Sequence, residues 1–308
     1  MHMADALISP AVGGAMWALT AGVMAWCARK VRETRDDRLV PMMGVLGAFI
    51  FTAQMINFSI PATGSSGHLG GGLLLAILLG PYAALLVIAS VLTVQSLFFA
   101  DGGLMALGCN IFNLGFFPSF IAYPLVYKLI AGNDRMGKRA WSAAMVAGIV
   151  GLQLGAFGVV VETTLSGISE LPFKTFALIM QPIHLVIGMV EGLATATVVA
   201  FVARARPEAL VRGQVALKEP KGRSVVVGLL VAAAILGGIA SWFASTHPDG
   251  LEWSISKVTG SVQHIPPSAE PWPAVSAGTS LSGLVGGALT LVLAVLVGVA
   301  LKACNKKT

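Results

Sequence analysis

Long apolar runs separated by short polar stretches dominate the pattern along the chain. A helix that crosses a bilayer needs about 20 mostly apolar residues. The runs predict nine candidate spans: residues 10–28, 40–58, 69–79, 81–99, 110–131, 141–164, 175–203, 224–246 and 277–301. The pattern therefore predicts an all-α polytopic membrane protein, with about seven helices in a first unit and two in a C-terminal unit.

One apolar run, from Leu69 to Ala100, is interrupted by the dipeptide Gly80-Pro81. Proline lacks a backbone donor and disfavours helical conformation in the residue before it. We expect a short helix, a tight turn and a longer helix here. One long kinked helix is the alternative.

Composition agrees with a membrane protein. Of the 308 residues, 56% are hydrophobic and 11% are charged, whereas soluble domains carry roughly 25% charged residues. The 36 glycines fit the same class, because small residues let helices approach closely in lipid. The three cysteines form no CxxC motif, so they indicate neither a disulfide framework nor a thiolate metal site.

The basic residues indicate an orientation. With an external N-terminus and nine spans, 18 of the 20 Lys and Arg residues fall in loops on one side, and only Lys174 and Lys257 fall on the other. Cytoplasmic loops are enriched in Lys and Arg. We therefore expect a multi-pass protein of the cell (inner) membrane, with its N-terminus outside and its C-terminus cytoplasmic. The net charge of +6 therefore reflects the orientation in the membrane and does not indicate a nucleic-acid partner. The expected partner is the lipid bilayer.

A polar, basic stretch divides the chain. Residues 206–223 contain two prolines and many charges, which is typical of a linker. We predict a membrane domain over 1–205, a cytoplasmic linker over 206–223, and a second membrane domain over 224–308. The second domain has a polar outer segment, 247–276, between its two spans.

The first residues of the chain, MHMADALISP, are a candidate metal ligand. No basic residue precedes the first apolar run, so a leader peptide is not indicated. The amine of Met1 and the amide and ring nitrogens of His2 could form fused chelate rings. His68, in the Gly/Ser-rich stretch PATGSSGHLGGG, could add a fourth nitrogen. Tetragonal nitrogen sites suit Ni(II) or Cu(II); the alternative is that both histidines are ordinary loop residues.

Four other polar residues lie at membrane depth, where ionisable groups are candidates for function. His184 and Glu191 are seven residues apart on one helix and about 10 Å apart by helical rise, so they cannot pair directly. They either satisfy neighbouring helices or support the metal site. Asn110 and Asn113 share a helix face and either order the metal loop, as residues behind a ligand do, or bond between helices.

Several motifs resemble a known family. MHMADALISP, GSSGHLGGGLLLAILLGPYAALLV, QSLFFADGGLMALGCNIFNLGF and HLVIGMVEGLAT resemble the substrate-capture subunits (CbiM/NikM family) of energy-coupling-factor transporters for nickel and cobalt. The resemblance covers about residues 1–205. It implies that the metal is held by the amine of Met1, the amide and ring nitrogens of His2, and a ring nitrogen of His68. HPDGLEW, at 247–253, resembles the PDGLE motif of the accessory subunit and implies a natural fusion.

The function implied by the resemblance is capture of Ni(II) from outside for uptake, with Co(II) as the alternative; the accessory motif favours nickel. The metal would be transported, and no catalytic cofactor is expected. The chain has no GxxxxGK[ST] motif, so the resemblance implies separate ATPase subunits and a transmembrane coupling subunit. A metalloenzyme needs an open metal position beside an acid or base, and a channel needs rings of charge or carbonyls. Both patterns are missing from the sequence, so neither class is favoured.

Overall fold

The computed structural model describes residues 1–34, 39–134, 137–205, 220–260 and 279–305. Most of the predicted linker, residues 206–219, lies outside the described residues. So does the greater part of the predicted outer segment, from residue 261 to 276.

The described residues form an almost entirely helical protein, which confirms the predicted fold class. The helices are α1 (Pro10–Glu33), α2 (Leu39–Gln54), α3 (Gly72–Leu79), α4 (Pro81–Phe99), α5 (Leu107–Ala131), α6 (Lys138–Ser166), α7 (Phe173–Ala205), α8 (Pro220–Gly238), α9 (Gly250–Thr259) and α10 (Thr279–Asn305). Single 3-10 turns occur at Asp5–Leu7 and Ala240–Phe243. A short antiparallel hairpin, β1 (Phe58–Ile60) and β2 (Ser65–Gly67), connects α2 to α3, with Phe58 opposite Gly67.

Among the described residues, six helices are long and apolar enough to cross a membrane: α1, α4, α5, α6, α7 and α10. Helices α2 and α8 are apolar but shorter. The third predicted span, 69–79, is short, as the break at Gly80-Pro81 led us to expect. Helix α3 has eight residues and is about 12 Å long, which is far less than the ~30 Å hydrocarbon core.

The predicted break at Gly80-Pro81 is confirmed. Helix α3 ends at Leu79, Gly80 has φ 82° and ψ 160°, and Pro81 is the first residue of α4. Proline suits the first helical position, because its missing N–H would have no partner there anyway. The chain therefore reverses its direction at Gly80, and α3 and α4 pack against each other.

One expectation is corrected. The predicted span 40–58 ends as a helix at Gln54, and its last residue, Phe58, begins the hairpin. The described start of the predicted outer segment forms helix α9. Asp249 begins this helix, with a capping box between Asp249 and Glu252, a pairing that satisfies two free backbone donors.

Glycines set the spacing of the helices nearest the site. Helices α6 and α7 approach so closely at Gly148 and Gly192 that a Cβ on Gly148 would lie 2.7 Å from the Gly192 amide nitrogen. Helix α10 packs along α2, and α8 packs against both. The C-terminal helices therefore lie directly on the first unit.

Four connections meet at one end of the helices: the segment before α1, the hairpin before α3, the loop after α4 and the segment before α9. Hydrogen bonds join each of them to another, for example Gly103 N to the Met3 carbonyl at 2.8 Å and Ser66 N to the Pro248 carbonyl at 2.8 Å. Met1 and His2, the two candidate ligand residues at the N-terminus, lie at this meeting point.

Candidate metal centre

The amino group of Met1 lies beside the ring of His68. The Met1 nitrogen is 2.8 Å from His68 Nε2, although 67 residues separate the two in sequence. Both residues are buried, with Met1 4% and His68 8% exposed. The structure thus brings together the chain end and the loop histidine, as a shared site requires.

The segment after Met1 is held by its backbone. Asn110, at the start of α5, accepts from Met3 N at 2.8 Å and donates to the Met3 carbonyl at 3.1 Å. One carboxylate oxygen of Asp5 accepts from the backbone N–H groups of Met105 and Ala106, at 2.8 and 3.0 Å. The first residues are therefore fixed to the loop between α4 and α5.

The ring of His2 stacks on the ring of His68, with centroids 4.8 Å apart and an interplanar angle of 26°. His2 Nδ1 is 2.7 Å from Asp101 Oδ1. His2 Nε2 is buried and has no hydrogen-bond partner among the described residues. A buried polar atom without a partner costs free energy, so an additional partner here would be favourable.

The loop that carries His68 is held by hydrogen bonds to neighbouring helices. Both oxygens of Glu191, on α7, accept backbone N–H bonds, from Gly70 at 2.8 Å and from Gly71 at 2.9 Å. The amide of Gln54 donates to the Gly70 carbonyl at 2.7 Å. Gly71 has φ 77°, a left-handed conformation that glycine adopts without strain. The carboxylate of Glu191 therefore shapes the turn that presents His68.

The tautomer of His68 follows from its neighbours. His68 Nδ1 is 3.0 Å from the Leu69 carbonyl, which can only accept, so Nδ1 carries the proton and Nε2 keeps a lone pair toward the amine. Burial lowers the pKa of His68 to about 3, and the adjacent positive amino terminus lowers it as well. The ring is therefore neutral near pH 7, the form that binds metals.

A carboxylate from the C-terminal unit also contacts the amine. Asp249 Oδ2 is 2.6 Å from the Met1 nitrogen. Burial favours the neutral form of the Asp249 carboxyl, but the positive amino terminus and the hydrogen bonds to the carboxylate together outweigh it and hold the pKa below its usual range. Asp249 is therefore ionised beside the amine.

A small cavity opens beside these groups. Its volume is about 10 Å³, roughly the room that one water molecule needs. Its walls are formed by Met1, Gly67, His68, Gly70, Leu114, Leu152, His184, Ile187 and Gly250. The space fits a single small ion or water and excludes an organic ligand.

The four other candidate residues separate into distinct roles. Asn110 contacts Met3, and Glu191 contacts the His68 loop. His184 lines the cavity; its Nδ1 is 2.9 Å from the Met180 carbonyl, and its Nε2 has no hydrogen-bond partner in the part of the chain that is described. Asn113 instead donates to Glu162 on α6 at 2.7 Å.

Asp101, Glu162 and Asp249 were not among the candidate residues. Asp101 and Asp249 are far from Met1 in sequence, so only the fold brings them to the chain end. A local signal did exist for Asp249, because Asp followed three residues later by Glu is a helix-start pattern. That pattern predicts helix α9 but not the contact with the amine.

A metal ligand set built from these groups would depend on the backbone. The described residues contain no group of three or more His, Cys, Asp or Glu side chains arranged to hold a metal ion. A metal centre here would combine two histidine rings with nitrogens of the main chain.

Two family models, two named relatives and one solved structure are similar to this chain. The CbiM family, described as the cobalt uptake substrate-specific transmembrane region, matches residues 2–209, and the PDGLE domain matches residues 223–271. A protein of Archaeoglobus fulgidus assigned as a fused nickel transport protein, NikMN, is 34% identical over 95% of this chain and 96% of its own length. The cobalt transport protein CbiM of Sorangium cellulosum is 30% identical over 71% of this chain and 99% of its own length. The crystal structure of a transition metal transporter superposes with a TM-score of 0.60 at 30% identity, covering 68% of this chain and 96% of that one.

Proposed function

The chain belongs to the CbiM family and carries a PDGLE domain, and we propose that it captures Ni(II) outside the cell for uptake. Family membership makes it a nickel or cobalt transport component. The identity of the captured metal, its ligands and the source of energy are the parts that we propose.

The observation that carries the proposal is the 2.8 Å approach of the Met1 nitrogen to His68 Nε2. Two potential ligands meet at a buried point beside a cavity of about 10 Å³. The His2 amide lies one residue along the chain from the amine, so a metal on the amine can close a five-membered ring through the amide nitrogen, once the ammonium and that nitrogen have each released a proton to the solvent. The third and fourth nitrogens are then one ring nitrogen of His2 and Nε2 of His68.

The chemistry of these groups suits nickel. Four nitrogens in a closed arrangement fit the tetragonal geometry that Ni(II) prefers, and capture needs no open coordination position. Of the two His2 ring nitrogens, Nδ1 closes a six-membered ring with the amide of the same residue. Nδ1 now contacts Asp101, so binding through it requires that contact to break or the ring to turn.

Cobalt is the second candidate, because Co(II) accepts the same ligands and a relative is named as a cobalt transport protein. Nickel is preferred because the A. fulgidus relative, which shares both units of this chain, is assigned as a nickel transport protein.

The energy for uptake would come from other subunits. We propose that the chain is the substrate-specific component of an ATP-driven energy-coupling-factor transporter, with a transmembrane coupling subunit and separate ATPase subunits. The N-terminus and the metal centre would face outward, and the C-terminus would be cytoplasmic. In this arrangement the transported metal is a substrate, and the chain itself catalyses no reaction.

A metal titration of the purified protein with its native N-terminus tests the ligand set. The wild type should bind one nickel and develop the yellow d–d band of low-spin, square-planar Ni(II). His2→Ala, His68→Ala and a protein with one residue added before Met1 should each lose the band. His247→Ala is the matched control, because this exposed histidine lies near the site and is not a proposed ligand. A band that survives in the extended protein would refute the ligand set, and the same titration with cobalt ranks the two metals.

A further inference from the structure

The carboxylate of Asp249 joins the two units of the chain at the metal centre. Its Oδ2 lies 2.6 Å from the Met1 nitrogen, and its Oδ1 accepts from the backbone N–H groups of Leu251 and Glu252, at 2.8 and 2.9 Å. The start of helix α9 thus fixes one carboxylate oxygen and aims the other at the amine.

The segment that carries Asp249 is bound to the hairpin that carries His68. Ser66 N donates to the Pro248 carbonyl at 2.8 Å, and Ser66 Oγ donates to the His247 carbonyl at 2.8 Å. The indole of Trp253 donates to the Thr63 carbonyl at 3.0 Å. His68 and Asp249 therefore approach the amine from one connected structure.

A metal-bound amine can still donate a hydrogen bond to this carboxylate. When an amine gives its lone pair to a metal, it keeps two N–H groups, and a carboxylate can accept one of them. Such an acceptor fixes the direction of the lone pair and places negative charge near the cation. Outer partners of this kind commonly change metal affinity by about 10- to 100-fold.

We infer that Asp249 is a positioning residue for metal capture, which holds the Met1 amine toward His68 so that the C-terminal unit completes the site of the first unit. The inference rests on the proposed function and deepens it. It assigns the PDGLE region a direct part in binding, through one carboxylate and the amino terminus.

The full chain with a native N-terminus provides the test. Asp249→Asn removes the charge but keeps an oxygen that can accept from Leu251 N and Glu252 N, since Asn caps helices as well as Asp does. Glu252→Gln is the matched control: it makes the same charge change three residues away, retains the capping box, and lies outside the contacts of the amine. Circular dichroism and gel filtration check that both variants remain folded.

Nickel titration followed by the d–d band gives two readouts. For Asp249→Asn we expect the dissociation constant for nickel to rise about 10- to 100-fold, with the band at the wild-type wavelength because the four nitrogens are unchanged. For Glu252→Gln we expect a change of less than about threefold, as for an exposed charge.

Three results would overturn the inference. If Asp249→Asn binds nickel like the wild type, the carboxylate has no part in capture. If the band shifts in Asp249→Asn but not in Glu252→Gln, Asp249 is itself a ligand and not a positioning residue. If the wild type shows no band, the proposed function fails and removes the premise, and this result is distinguishable because it does not depend on Asp249.

Discussion

Two single residues at the chain end, Met1 and Met3, are placed through main-chain atoms. The Met1 nitrogen contacts His68 and Asp249, and both the N–H and the carbonyl of Met3 bond to Asn110. A ligand set drawn from the main chain requires such anchoring, because an amine on a loose chain end would lose conformational entropy on binding. Asn110 is therefore the residue whose loss should most directly loosen the site.

Replacing Asn110 with Ala should weaken nickel binding. The change removes a two-way bond to Met3 and leaves the buried Met3 N–H without its partner, at a cost of about 1–3 kcal/mol. We expect the dissociation constant for nickel to rise by about 10-fold or more, as for other groups that position ligands, and isothermal titration measures it. Ser90→Ala is the control, because Ser90 is buried and its hydroxyl donates to the Leu86 carbonyl within α4. An unchanged affinity in Asn110→Ala would show that Asn110 is not needed to hold the chain end.

Among the elements, the reversal between α3 and α4 directs the chain back to the candidate metal centre. Helix α3 follows the His68 loop, and α4 ends next to Asp101, which contacts His2. The reversal depends on Gly80, whose φ of 82° and ψ of 160° lie in a region that is essentially restricted to glycine.

Gly80→Ala should therefore lower stability by about 1–3 kcal/mol through backbone strain alone. Gly14→Ala is a matched comparison, because a Cβ would meet nothing within 4 Å at either position, while Gly14 lies within helix α1. Alanine in a helix is favoured over glycine by up to about 1 kcal/mol, so Gly14→Ala should be neutral or stabilising. Thermal unfolding in detergent compares the two variants, and equal melting temperatures would contradict the assignment of strain to Gly80.

The sequence allowed some elements to be predicted and not others, for physical reasons. The break at Gly80-Pro81 was predictable because proline and glycine act on their own backbone. The middle of α5, residues Phe112–Tyr127, is a π-helix with Pro118 and Pro124 inside it. The spacing of apolar residues could not predict this, because a helix in a membrane is apolar both toward lipid and toward its neighbours. The contact of Asp249 with Met1 spans 248 residues, and the segment that carries Asp249 is held by hydrogen bonds to the distant hairpin, which no local pattern encodes.

In the whole molecule, the candidate metal centre and most of the basic residues that the structure describes lie at opposite ends of the helices, with Lys174 and Lys257 as the exceptions. Helix α1 begins close to the candidate metal centre, is 24 residues long and ends beside Lys30 and Arg32, about 36 Å away by helical rise. Lys128, Arg139 and Arg204 lie at the same far end, because α5 and α7 run away from the centre and α6 returns toward it. Cytoplasmic ends carry the excess of Lys and Arg, so this separation favours a metal centre that faces outward.

Labelling of single cysteines in spheroplasts tests the orientation. Ser59→Cys lies in the exposed part of the hairpin near the metal centre, and Lys138→Cys is exposed at the opposite end. Both are placed in a Cys304→Ser background, where the remaining Cys27 and Cys109 are buried. A maleimide that does not cross membranes should label Ser59→Cys in intact spheroplasts, and Lys138→Cys only after permeabilisation. The reverse pattern would place the metal centre on the cytoplasmic side, where the chain could release metal but could not capture it from outside.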